Sequence, residues 1–188
     1  MPKTLLIGAF LAWLVPGAVP AAEAPPRVEL LTERYEARVA ALIDGAQRSI
    51  ELTMYQANLP DNADDRHPVR KMLDRLVARS KAGIAVKVVL DAGTPEDGAK
   101  WPSALAGEYL ASKGVNVRWD EDDRTTHTKS MVVDGRWCLI GSTNWSYSAL
   151  RKNREQSVLL EDPDLAKRMV GSFESLWRKS RPVELADR

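Results

Sequence analysis

The residues best suited to chemistry lie between positions 127 and 155 of the chain. His127 and Lys129 are two positions apart, so on a β-strand both side chains point to the same face of the sheet. A neutral imidazole attacks an anionic phosphodiester without the repulsion that an anionic nucleophile meets, and it forms a covalent phosphohistidine. An ammonium group beside it stabilises the charge that gathers on the non-bridging oxygens in the transition state. The pair therefore predicts phosphodiester cleavage with His127 as the nucleophile.

A hairpin turn is expected to bring further polar groups toward this pair. Asp134-Gly135 is a strong signal for a two-residue turn, and a regular turn there places Ser142 opposite His127. Asn144 follows one step further on the same face. We therefore predict that a hydroxyl and an amide bind the phosphate oxygens. Ser142 alternatively caps a following helix, and Asp134 has either a structural role in the turn or an indirect role in the site.

The reaction also needs a carboxylate and a second histidine. Glu155 is the candidate for the carboxylate that holds the imidazole N–H and fixes its tautomer, although an ion pair with Arg154 explains it too. One histidine attacks while another protonates the leaving oxygen. The only other histidine, His67, has no lysine two positions later. We therefore predict a two-fold homodimer in which each subunit supplies one half of a shared site.

Taken together, these spacings resemble the signature of the phospholipase D superfamily. The pattern reads His127-x-Lys129, four residues, Asp134, six residues, Gly141-Ser142-x-Asn144, with Asn153-x-Glu155 downstream. The resemblance extends from about Arg27 to the end of the chain. A short, exported chain with a single motif is similar to the bacterial endonuclease subgroup, which includes the periplasmic Nuc-type nucleases.

The resemblance implies an α/β fold in which helices sandwich a mixed β-sheet. It also implies a phosphohistidine mechanism that uses no metal or other cofactor, and homodimers where only one motif is present. Three of the site residues would also bind substrate, namely Lys129, Ser142 and Asn144. The full catalytic set that the resemblance carries over is His127, Lys129, Asp134, Ser142, Asn144 and Glu155.

Composition limits the binding partners and the redox chemistry. The 188 residues carry a formal net charge of +1, so any binding of nucleic acid or a phospholipid headgroup needs a local patch. The single cysteine, Cys138, lies in an apolar run, so we expect a buried core residue.

The N-terminus predicts export. Lys3 precedes a short apolar run over 4–15, which Pro16 ends before small residues follow. We therefore predict a signal peptide over residues 1–24 and a catalytic domain over 27–188, located in the periplasm or the medium. An uncleaved N-terminal anchor is the alternative. We expect no stable membrane span in the mature chain.

Helical and strand patterns alternate along the domain, which favours an α/β sandwich around a mixed sheet. The apolar spacing predicts helices over 33–46, 69–81, 103–113 and 164–178, and strands over 49–56, 84–90, 115–119, 126–133, 137–140 and 157–160.

Three functions fit these residues. A nonspecific endonuclease on DNA and RNA is favoured by the expected export and the single motif, with the basic residues of 151–154 available for a phosphate backbone. A phospholipase D acting on headgroups such as that of phosphatidylcholine fits the neutral charge and the acidic run 120–123. A catalytically dead binding dimer is opposed by the intact motif. Trp145 and Tyr147 either stack on substrate or pack in the protein.

Overall fold

Eight strands and five helices make up the part of the protein that the computed structural model describes, residues 27–93, 102–121 and 124–185. The predicted signal peptide and the last two residues of the acidic run, 122–123, lie outside these ranges. The strands are β1 (Arg27–Leu31), β2 (Ser49–Met54), β3 (Ala85–Leu90), β4 (Asn116–Trp119), β5 (Lys129–Val133), β6 (Trp137–Gly141), β7 (Ser157–Glu161) and β8 (Arg181–Pro182). The helices are α1 (Tyr35–Asp44), α2 (Pro68–Lys81), α3 (Ala104–Ser112), α4 (Tyr147–Arg151) and α5 (Pro163–Lys179).

The strands form one mixed sheet in the order β1-β7-β6-β5-β2-β3-β4-β8. Strands β2, β3 and β4 run parallel, while the other neighbouring pairs are antiparallel. The carboxyl ends of β2, β3 and β4 therefore meet the start of β5 and the end of β6 at one edge. This architecture confirms the predicted mixed sheet with helices on both faces.

Alternation along β2 shows how the sheet divides the core. Ile50, Leu52 and Met54 are buried in the main core with α1, α2 and α3. Glu51 and Thr53 point to the opposite face, where they line a small cavity with residues of α5. A second cluster packs α5 onto that face and includes Cys138, which is fully buried as expected.

Trp119 at the end of β4 packs tightly onto helix α3. A Cβ atom added at Gly107 would lie 2.3 Å from the indole ring, so only glycine allows the helix to approach the tryptophan this closely. This contact holds the end of β4 against helix α3, while pairing with Leu90 places it beside the end of β3. Within the described ranges, no helix combines the length and apolarity that a membrane crossing requires.

The β5–β6 hairpin differs from the regular turn that the sequence predicts. A regular two-residue turn pairs Val133 with Arg136, whereas the structure pairs Val133 with Trp137. Asp134 and Gly135 both adopt positive φ, of 58° and 61°, but Arg136 extends the loop to three residues. The predicted register is therefore wrong by one residue, and the cross-strand alignment of Ser142 with His127 is lost.

Candidate active site

The candidate site lies at the sheet edge where β5 begins. Lys129 is the first residue of β5 and pairs with Met54, the last residue of β2. Tyr55, which follows Met54, donates its backbone N–H to the Thr128 carbonyl at 2.8 Å. The backbone that carries the predicted nucleophile is thus held against the end of β2.

His127 and Lys129 are in direct contact. The Lys129 ammonium lies 3.0 Å from His127 Nδ1 and 3.4 Å from Nε2, and it donates to the His127 carbonyl at 2.9 Å. The Tyr55 ring packs against both side chains, with 4.2 Å between the Tyr55 and His127 ring centroids and 4.5 Å from the Tyr55 centroid to Lys129 Nζ. The imidazole is exposed, whereas Lys129 is only 8% exposed. A phosphate bound to this ammonium is held beside an accessible imidazole.

Burial lowers the pKa of Lys129, because the charged form loses solvation. The carboxylates of Glu155 and Asp91 act in the opposite direction and favour the charged ammonium. The site therefore contains a partly desolvated cation whose charge is favoured by two nearby carboxylates.

Ser142 and Glu155 are linked by a hydrogen bond from the serine hydroxyl to the carboxylate. Asn153 donates to the other carboxylate oxygen at 3.0 Å, and the Gln156 N–H donates to Ser142 Oγ at 3.2 Å. Between the described residues, no hydrogen bond joins Glu155 to His127. The carboxylate therefore stands near the ammonium and orients the Ser142 hydroxyl, while the predicted contact with the imidazole stays a prediction.

Two alternatives from the sequence are excluded by this geometry. Helix α4 begins with Ser146 as its N-cap, whose side chain accepts from the Ala149 N–H at 3.2 Å, so Ser142 does not cap it. Glu155 binds the hydroxyl and the amide described above rather than Arg154. Ser142 is exposed and remains available to a ligand.

Steric crowding explains why position 141 of the motif is glycine. Gly141 pairs with Ser157 on β7, and a Cβ atom on it would lie 2.0 Å from Ser157 Oγ and 2.5 Å from Ser157 Cα. Ser157 Oγ in turn hydrogen-bonds Thr143 Oγ1 at 3.0 Å, and both hydroxyls are buried. The close approach of β6 and β7 thus fixes the chain that presents Ser142.

Asn144 and Trp145 are adjacent in the chain but have different surroundings. The Oδ1 atom of Asn144 is buried without a partner in the described part of the chain, so the residue has an unused hydrogen-bond acceptor there. The Trp145 ring is fully buried, and its Nε1–H donates to the Tyr35 hydroxyl at 3.3 Å. Core packing is therefore the role of Trp145, whereas Tyr147 is 49% exposed.

Asp134 lies at the opposite end of β5 from His127. Its carboxylate accepts hydrogen bonds from the backbone N–H groups of Gln47, Arg48 and Ser49 at 2.7 to 3.1 Å. These contacts tie the hairpin to the start of β2. The structure thus gives Asp134 a structural role and does not bring it together with His127, Lys129, Ser142 and Glu155.

Sequence reasoning missed three residues that surround the pair, Tyr55, Asp91 and Asp120. Asp91 follows β3 and Asp120 follows β4, and both side chains are buried. Polar residues directly after parallel strands are a known signal for a site, since those ends meet at one edge.

A cavity of about 960 Å³ also opens beside Ser142 and Glu155 and reaches Tyr35.

A family model described as "Cardiolipin synthase, PLD-like domain" matches residues 39–177. The chain belongs to this phospholipase D-like family. Among curated relatives, the mitochondrial cardiolipin hydrolase of Xenopus laevis is 30% identical over 152 residues, which cover 81% of this chain and 65% of the relative. The human mitochondrial cardiolipin hydrolase is 31% identical over 105 residues, covering 54% of this chain and 38% of the relative. The chain thus spans less than two thirds of the length of these relatives.

Solved structures share the fold. Nuc from Salmonella typhimurium, a phospholipase D family member, is 29% identical with a TM-score of 0.68, covering 85% of this chain and 99% of Nuc. NucT from Helicobacter pylori has a TM-score of 0.62 at 15% identity, covering 84% of this chain and 99% of NucT, and shows the fold alone. The predicted superfamily and fold are confirmed.

Proposed function

We propose that the protein is an exported, metal-independent phosphodiesterase that hydrolyses nucleic acids through a phosphohistidine on His127. The direct contact between the exposed imidazole and the buried Lys129 ammonium carries this proposal. A phosphodiester anion that binds this ammonium lies next to the imidazole nitrogens of His127. We assign the NH2 group of Asn144, and the Ser142 hydroxyl once it turns from Glu155, as further donors to its oxygens.

The proposed reaction has two steps. An imidazole nitrogen of His127 forms a bond to phosphorus, the bond from phosphorus to the leaving oxygen breaks, and that oxygen takes a proton from a second histidine. Water then attacks the phosphohistidine, gives its proton to the second histidine, and releases the imidazole. We assign the second histidine to the His127 copy of a second subunit. His67 is a poor candidate within the chain, since it is the N-cap residue of helix α2 and packs against the Tyr147 ring, 5.9 Å away between centroids.

Local charge supports a nucleic acid as the substrate. Lys152 and Arg154 are exposed next to the Ser142–Glu155 pair. Two residues of the acidic run 120–123 repel a polyanion less than the sequence suggests. Asp120 is buried and accepts hydrogen bonds from two backbone N–H groups, and Glu121 forms an ion pair with Lys179 at 3.5 Å. The nearly complete coverage of Nuc supports the same class of enzyme.

A phospholipid diester is the second candidate substrate. Relatives named cardiolipin hydrolase favour it. A cross-strand row from Leu30 on β1 through Val158 to Ile140 also leaves apolar side chains exposed, with Leu30 at 60% and Ile140 at 42%. An apolar surface of this kind suits contact with lipid.

One purified preparation separates the candidates. It is incubated with plasmid DNA, RNA, phosphatidylcholine vesicles and cardiolipin vesicles, each with excess chelator. We expect nicking and degradation of DNA and RNA with chelator present, and no turnover by the His127→Asn variant, which keeps the fold. Phosphatidate release without nuclease activity would establish the lipid candidate instead. Wild-type turnover by His127→Asn would refute the proposed mechanism, and loss of all activity with chelator would refute metal independence. Export is tested separately by the mature N-terminus of the protein recovered from cell fractions.

A further inference from the structure

Two buried aspartates stand at the ends of adjacent parallel strands beside the nucleophile. Asp91 directly follows β3 and Asp120 directly follows β4, whose last residues, Leu90 and Trp119, are paired. The two residues are 7% and 2% exposed, and their carboxyl groups lie close enough to interact electrostatically. Burial of two neighbouring carboxyl groups is unfavourable, because each loses solvation and each repels the charge of the other. The pKa of Asp91 is raised for these two reasons, burial first.

The pair holds the backbone immediately before His127. The Thr126 N–H donates to Asp91 Oδ1 and to Asp120 Oδ2, both at 3.1 Å. The other oxygen of Asp120 accepts from the Ala92 N–H at 2.7 Å, which ties the end of β3 to the same carboxylate. Both aspartates thus converge on a single N–H group, one residue before the predicted nucleophile.

His127 is restrained on both sides although it lies outside any strand. The Thr126 N–H is held by the carboxyl pair, and the Thr128 carbonyl accepts from the Tyr55 N–H. The exposed imidazole therefore stands between two fixed points of the backbone. Without the first point, the residues that precede β5 would be held only by Tyr55 and Lys129.

We propose that Asp91 and Asp120 form a carboxyl clamp that positions His127 for attack by fixing the Thr126 N–H. The clamp rests on the proposed function, in which His127 is the nucleophile. Neither aspartate touches the reacting atoms, so both are positioning residues. Displacement of a nucleophile by about 1 Å lowers turnover by about 100-fold, and this sets the scale of the expected effects.

Both aspartates are predicted to tolerate amide substitution better than truncation. An asparagine at position 91 or 120 keeps one acceptor oxygen for the Thr126 N–H but loses the second carboxylate oxygen, so each amide variant weakens the clamp. An alanine at position 120 removes both acceptors, those for the Thr126 and Ala92 N–H groups. We expect kcat to fall by about 10-fold for Asp91→Asn and for Asp120→Asn, and by about 100-fold for Asp120→Ala. KM changes little in all three.

The matched control is Asp162→Ala. Asp162 also accepts a backbone N–H, that of Leu165 at 2.9 Å, but it caps helix α5 away from the site. We expect this variant to lose stability and keep kcat. The substrate for all variants is bis(p-nitrophenyl) phosphate, which tests the chemistry without a macromolecular groove.

A spectroscopic readout separates positioning from general stability. The chain has two histidines, so the NMR spectrum of the full-length protein contains two imidazole signals, with His67 as an internal reference. We expect Asp120→Ala to shift or broaden the His127 signal and to leave that of His67 unchanged. If this variant does not fold, Asp120→Asn provides the same comparison.

The outcomes are distinguishable. A folded Asp120 variant with wild-type kcat and an unchanged His127 signal would overturn the clamp. Equal losses in Asp120→Asn and Asp120→Ala would also overturn it, because they would mean that charge rather than hydrogen-bond geometry matters. If His127→Asn were active, the proposed function would fail, while the NMR comparison would still decide whether the two carboxyl groups hold the His127 segment.

Discussion

At the scale of single residues, the site depends on Lys129, whose positive charge is unfavourable in its buried position. Lys129 is buried, and desolvation lowers its pKa despite the nearby carboxylates of Glu155 and Asp91. A folded-state pKa below the unfolded value means that the charged lysine destabilises the fold at neutral pH. Retaining it is consistent with selection for phosphate binding rather than for stability.

Lys129→Met should therefore abolish turnover and stabilise the fold. We expect a gain of about 1 kcal/mol in the free energy of unfolding at neutral pH, measured by urea denaturation. The stability difference between the variant and the wild type should shrink as the pH approaches 10.5 from below, since at Lys129 the unfolded wild-type chain then binds more protons than the folded one. Comparing the two proteins at each pH removes the contributions of Cys138 and Tyr35, whose raised pKa values lower the stability of both in the same range. A less stable Lys129→Met protein would contradict the assignment.

Which site residues are predictable depends on their distance along the chain. His127, Lys129, Ser142 and Glu155 lie within one local stretch, where fixed spacing identifies them. Tyr55, Asp91 and Asp120 join the site only because β2, β3 and β4 lie in a particular order beside β5. Strand order depends on long-range packing, which the periodicity of a single segment does not encode.

At the scale of elements, the periodic segments were predictable and the exposed ones were not. The four predicted helices and six predicted strands are present, since each buries an apolar face. Strand β1 is almost entirely exposed and is held by pairing with β7, more than a hundred residues later. Strand β8 has two residues and helix α4 has five, too short for a periodic signal. The predicted register of the β5–β6 hairpin is wrong because Arg136 belongs to the turn, which has three residues instead of two.

Asp134 connects this hairpin to the start of β2. Asp134→Ala removes the acceptor for three backbone N–H groups and places alanine at positive φ, so we expect a loss of about 2 to 4 kcal/mol in the free energy of unfolding. Urea denaturation measures the loss, and turnover is compared at a temperature where the variant is folded. Wild-type stability together with lost turnover would return Asp134 to the active site.

At the scale of the whole molecule, the proposal requires two subunits. One chain supplies one His-x-Lys pair, and the imidazole of His127 is exposed at the sheet edge where a partner has access to it. A dimer that shares its site needs both imidazoles for every turnover.

Subunit mixing tests this requirement. Wild-type protein is unfolded in urea with a large excess of His127→Asn protein and refolded together, so that most wild-type chains acquire a defective partner. We expect turnover per wild-type chain to fall toward zero. Refolding with the same excess of Asp162→Ala protein, which is itself active, is the control, and turnover per chain counted over both proteins should stay at the wild-type value. Full activity per wild-type chain in the first mixture would show that each chain acts alone.

The most direct test of the whole account is capture of the covalent intermediate. The protein is mixed with a radiolabelled phosphodiester, quenched in alkali within one turnover, digested and sequenced by mass spectrometry, because phosphohistidine survives alkali and is lost in acid. We predict label on His127 in the wild type, none on His67, and none in His127→Asn. Label on another residue, or turnover without any labelled residue, would contradict nucleophilic attack by His127.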